Sequence, residues 1–259
     1  MNRFLVASIA AAATASLALA QSPAPPASPA RETRVFELRT YYAAEGQLDA
    51  LNARFRDHAL RLYRKHGMTP VGFWSPKGNP DNKLVFLLAY PSRAARDDSW
   101  RSLATDPEWV HARKTSDRHG KLVKYIEEEF LTPTDYSPVV AAGSARRPRT
   151  FELRVSTVRA ADAERMHAQL RANGSKELRE QGMTAVGFFT LHSPQPGSDV
   201  TLVALLARTG EPTKATTPTD PILLVALGQP AMKPTTGTIT ATDGKKAEVL
   251  RPTDYSPLK

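Results

Sequence analysis

Nearly the same eight-letter phrase closes two stretches of this chain: LTPTDYSP at residues 131–138 and LRPTDYSP at residues 250–257. It is one of several matched blocks. Phe36-Glu37-Leu38-Arg39 returns as Phe151-Glu152-Leu153-Arg154, a shift of 115 positions (151 − 36 = 115). GMTPVGFW, starting at Gly67, returns at the same shift as GMTAVGFF, starting at Gly182. LVFLLA at 84–89 answers to LVALLA at 202–207, and the PTDYSP copies follow in the same order. Order is kept throughout and the shift grows only from 115 to 118 (202 − 84) and 119 (252 − 133), so the chain reads as a duplication of one structural unit.

Each unit reads as strand, helix, strand, strand, helix, strand. Phe36, Leu38 and Thr40 alternate with Glu37, Arg39 and Tyr41, the period of a strand. Leu48, Leu51, Phe55, Ala59 and Leu62 recur every three or four residues, which predicts an amphipathic helix over 46–66. Gly67 stands where a left-handed cap is wanted. MTPVGFWS is a second strand, KGNPDN a turn, and the unbroken apolar run KLVFLLAY a strand covered on both faces. Ser92 opens a helix to about residue 104. Asp106-Pro107 matches a cap followed by proline at the first helical position, and 121–131 returns as the fourth strand. The order βαββαβ is the ferredoxin-like split βαβ. The second unit departs after its third strand: residues 208–247 are loaded with proline and threonine and hold no tryptophan, so its second helix is expected to be lost, shortened or replaced by loop.

Ahead of the units, Asn2 and Arg3 precede an uncharged apolar run from Phe4 to Leu19, with small residues at Ala18–Ala20. Residues 1–20 read as a cleavable signal peptide, since the run is short and alanine-rich for a span of about 20 residues. Residues 21–33, rich in proline and alanine, read as a tether. Export to a periplasm or the exterior is the expected destination, with no stable membrane insertion after cleavage. The chain has no cysteine, which excludes disulfides, thiolate chemistry and cysteine-ligated metal. The net charge of +9 is interspersed along the sequence without a nucleic-acid-binding pattern, so a solvated basic surface is expected and nucleic acid is not.

Four motifs carry a family resemblance: FELRTY at 36–41, GMTPVGFW at 67–74, DPEW at 106–109 before a helix, and FLTPTDYSP at 130–138. Together they resemble the NIPSNAP family, over all of 34–138 and less fully over 149–257, where DPEW has no counterpart. The resemblance implies α+β architecture: two ferredoxin-like units packed sheet to sheet as an intramolecular dimeric α/β barrel. The linker at 139–148 is ten residues, able to span at most about 33–36 Å. The resemblance implies neither fixed catalytic residues nor a cofactor. The expected function is a non-catalytic module binding a small apolar or aromatic molecule, or another envelope protein. The alternative is a cofactor-independent enzyme, monooxygenase- or isomerase-like, using the barrel cavity.

The candidate ligand-binding residues are Glu37, Arg39, Tyr41, Glu152 and Arg154. If Phe36 and Leu38 face the helices, these polar side chains point between the sheets and form the floor of a cavity. The competing reading is structural: each glutamate simply pairs with its arginine, because a buried charge is expensive without a partner. The six histidines show no close metal-ligand spacing, and no metal or catalytic residue is assigned. Trp74 and Trp109 read as core or interface anchors, and PTDYSP as a structural tail whose tyrosine anchors on the sheet or the neighbouring half.

Overall fold

The computed structural model describes residues 32–140, 149–191, 199–209 and 245–259. The sequence expectations for 1–31 and for most of 208–247 lie outside these residues. Eight antiparallel strands close a barrel in the order β1-β3-β2-β8-β5-β7-β6-β4. The strands are β1 (Val35–Ala43), β2 (Thr69–Pro76), β3 (Lys83–Tyr90), β4 (Val123–Pro133), β5 (Arg149–Val158), β6 (Met183–Leu191), β7 (Val200–Thr209) and β8 (Lys245–Pro252). Two four-stranded sheets, β4-β1-β3-β2 and β8-β5-β7-β6, meet at two corners of three residue pairs each. Trp74 lies opposite Pro252 in β2–β8, and Phe189 opposite Pro133 in β4–β6.

The helices follow from local chemistry. Helix α1 (Leu48–Arg54) runs through a wide π turn at Phe55–Ala59 into α2 (Leu60–Lys65). That turn shifts the helical phase so that Leu51, Phe55, Leu62 and Tyr63 all bury on the sheet. Gly67, at φ +79°, ends the segment in a conformation that suits glycine. The Ser92 hydroxyl accepts from the Ala95 amide to start α3 (Arg93–Thr105). The Asp106 carboxylate accepts from the Glu108 amide to start α4 (Pro107–Ser116). In the second half, α5 (Ala160–Gln169) passes through a π turn at Leu170–Gly174 into α6 (Ser175–Glu180).

Much of the barrel interior is apolar. Phe36, Leu38, Trp74 and Leu87 from the first half pack with Phe151, Leu153, Phe189 and Leu205 from the second. Phe36 and Phe189 have ring centroids 5.0 Å apart, Trp74 and Phe151 5.5 Å apart. The Trp74 indole folds over Gly72, where a Cβ would come within 2.3 Å of it. A separate apolar layer lies outside each sheet, under the helices.

The repeated tail phrase has a physical role here. Each copy crosses to the other half and fastens on the same strand position. Thr134 and Thr253 donate their amides to the carbonyls of Phe188 and Phe73. The Ser137 and Ser256 hydroxyls accept from the amides of Phe188 and Phe73. Asp135 pairs with Arg171, and Asp254 with Arg56. The Tyr255 hydroxyl donates to Asn52, while the Tyr136 hydroxyl lies 2.8 Å from Nδ1 of His167. The two tails are reciprocal clasps.

One difference between the clasps makes a prediction. Burial lowers the His167 pKa from its ordinary 6.5, so the folded protein favours the neutral ring. Its contribution to stability is present above about pH 6.5 and is lost as pH falls through the lower folded value. His167→Asn copies the residue used by the other clasp. Urea midpoints measured at pH 7.5 and pH 5.5 should fall more for the wild type than for this variant; an equal fall would refute the assignment.

Candidate functional site

The strand alternation is as expected, but its facing is the reverse. Phe36 and Leu38 point into the barrel, whereas Glu37, Arg39 and Tyr41 lie on the outer face under the helices. Both faces of β1 are covered, so burial alone does not choose between them, and the partners available on each side do. Glu37 and Arg39 then find partners on α3 that no strand could offer.

Glu37 is fully buried and surrounded by donors. Its Oε1 accepts from Arg39 at 2.6 Å and Arg96 at 2.5 Å. Its Oε2 accepts from the Tyr90 hydroxyl at 2.8 Å and the Trp100 indole at 3.1 Å. Desolvation pushes the Glu37 pKa up, but the Arg96 hydrogen bond and the Arg39 charge hold it below the usual carboxylate range. Arg39 also reaches Glu128 at 2.5 Å, and its guanidinium lies 4.3 Å from the Trp100 ring centroid. In the second half Glu152 pairs with Arg154 at 2.6 Å and with Arg208, which occupies the strand position of Tyr90. The two clusters sit on opposite sheets and do not meet, so the expected shared polar floor does not form.

Other acidic side chains do share the inward face. Glu129 lies opposite Leu38, and Glu248 opposite Leu153; directly opposed residues share a face. Desolvation raises both carboxyl pKa values, and Lys83 lies 3.7 Å from Glu248.

A cavity of about 490 Å³ opens instead on the outer face of the first half, between the sheet and helices α3 and α4. Tyr41, Trp100 and Trp109 supply aromatic walls, with Leu103, Val123 and Ile126 between them. Arg54, Arg113, Lys121 and Lys124 bring positive charge, against the carboxylate of Asp117. Arg54 is buried and donates to Asp117 at 3.0 Å and to Ser116 at 3.2 Å. Of the five candidate residues, only Tyr41 lines this cavity. Glu37 and Arg39 stand behind it and fix Trp100. Trp109, read as an anchor, forms part of the wall. No local pattern marks the remaining lining residues, although two sequence features bear on them: the DPEW motif has no second-half counterpart, and basic residues crowd 113–124.

Fold and cavity together define a single-chain dimeric α/β barrel with an aromatic pocket under one helix pair. Residues 36–138, which contain every residue lining that pocket, match the NIPSNAP family model. A NIPSNAP domain protein from Burkholderia xenovorans is 24% identical, over 40% of this chain and 98% of that one, with TM-score 0.36. A NIPSNAP family protein of unknown function from Agrobacterium tumefaciens is 23% identical, over 43% of this chain and 97% of that one, with TM-score 0.38. An anthrone oxidase-like protein is 10% identical over 86% of this chain and 92% of that one, with TM-score 0.49. No curated protein matches the chain.

Proposed function

We propose that the protein is a NIPSNAP-type small-molecule-binding module whose site is the pocket on the first half. The pocket carries this reading: its volume of about 490 Å³ is that of a small-ligand site, with apolar walls and a few polar groups. Residues 149–257 are, in this reading, a diverged second copy that completes the barrel and holds its partner half rigid. Ser156 stands at the position of Tyr41 and Gln169 at that of Arg54, which removes two lining residues from the second half. The apolar run and small residues of 1–20 support export of the mature form.

Native mass spectrometry of protein purified from its own source tests the proposal. The expected result is a chain lacking residues 1–20 that retains a small molecule. Ala104 lines the pocket and is exposed, so Ala104→Trp should fill the site without disturbing the core, and abolish retention. A molecule that survives Ala104→Trp overturns the site, and a chain that carries none overturns the binding reading. Retention of 1–20 on the exported chain refutes cleavage. Chemical turnover of the released molecule by the purified protein would instead favour an enzyme.

A further inference from the structure

Resting on the pocket reading, we infer that the ligand is an anionic aromatic compound, a carboxylate in the simplest case, and that Arg54 recognises its charged end. The lining is electrostatically one-sided. Arg54, Arg113, Lys121 and Lys124 face a single lining carboxylate, Asp117, which is already engaged by Arg54. Aromatic side chains interleave with these cations, so the site suits a flat apolar body carrying a negative group.

Among the described residues that line the pocket, Arg54 is the one with a buried polar side-chain atom that has no partner. It is 7% exposed, and its Nη1 is used by Asp117 and Ser116. Its buried Nε meets no acceptor among the described residues. A guanidinium presents five donors in a planar fork that matches a carboxylate, and a buried donor left unmade is costly. The competing explanation is that Arg54 only pins the turn at Asp117–His119 against α1. The second half argues that the fold does not require arginine here. Gln169 occupies the matching place at the end of α5, immediately before the same π turn.

Tryptophan fluorescence reads the test, because Trp100 and Trp109 wall the pocket while Trp74 is sealed inside the barrel. The probes are 2-naphthoate and its neutral isostere 2-naphthamide. Both should quench, with the naphthoate binding about tenfold or more tightly, as a charge-assisted hydrogen bond implies. Added salt should weaken the naphthoate and leave the amide unchanged. Arg54→Gln should bring the naphthoate down to the affinity that the amide has in the same variant, and a circular-dichroism melt close to that of the wild type shows that the variant is folded. Equal affinity for the two probes in the wild type, a comparison that needs no variant, overturns the inference and leaves the pocket reading standing. A preference that survives Arg54→Gln also overturns it. Binding of neither probe sinks both readings.

Discussion

Replacing Glu37 by alanine is expected to cost about 3–5 kcal/mol, the range for removing one member of a buried ion network. The magnitude follows from what is left behind. Arg39 and Arg96 lose the carboxylate oxygen they share, and the Tyr90 hydroxyl and Trp100 indole lose the acceptor on the other oxygen. Of its carboxylate partners among the described residues, Arg39 keeps only the half-exposed Glu128, at 39% side-chain exposure. Arg39→Met should cost less, because Glu37 would retain Arg96, Tyr90 and Trp100. The melting temperature of Glu37→Ala should fall by more than about 6 °C, since 1 kcal/mol moves a chain of roughly this size by about 2–4 °C. The sign with pH is set by the lowered Glu37 pKa. Its contribution is present above the ordinary carboxylate value of 4.5 and is lost as pH falls through the lower folded value. A loss below about 1 kcal/mol, the range of exposed ion pairs, would mean that Glu37 is not the hub described. The same is true if Arg39→Met proves the more damaging change.

That hub explains how much of the molecule was legible in its sequence. The repeat predicts two like units, the family resemblance implies that their sheets cover each other, and a closed barrel is what forms. Strand and helix positions follow from periodicity and caps, as at Ser92 and Asp106, because those signals act within a few residues. Facing does not follow from alternation when both sides of a strand are covered. On β1 the pattern separates Phe36 and Leu38 from Glu37 and Arg39, but does not say which pair meets the other sheet. Partners decide it: Arg96 and Trp100, about 60 residues downstream on α3, satisfy Glu37, and only the fold brings them there. The pocket was hidden for the same reason. Tyr41, Arg54, Trp100, Trp109 and Ile126 come from five elements, and no local spacing joins them.

The clasps, by contrast, were visible as letters, and removing one should have the second large effect. Deleting residues 253–259 takes away Leu258, which is 3% exposed and belongs to the barrel core. Losing a buried leucine side chain alone costs about 2–5 kcal/mol. The Phe73 amide and carbonyl also lose Ser256 and Thr253, and Asn52 loses Tyr255. The deletion should therefore destabilise the chain more than Leu258→Ala does. Asp254→Asn should barely move the denaturation midpoint, because Asp254 and Arg56 meet at an exposed surface where ion pairs contribute little. Damage should also be local. Amide exchange should accelerate at Phe73 and at Lys77, whose amide donates to Val249 across the β2–β8 corner. It should stay slow at Phe188, because Ser137 still accepts from that amide on the intact side. Uniform acceleration at Phe73 and Phe188 would show that the two corners open as one unit. A truncated chain that melts with the wild type would show that the tail is not a clasp at all. The predicted asymmetry is what a barrel closed at two separate three-residue corners requires, because each corner is held by its own tail.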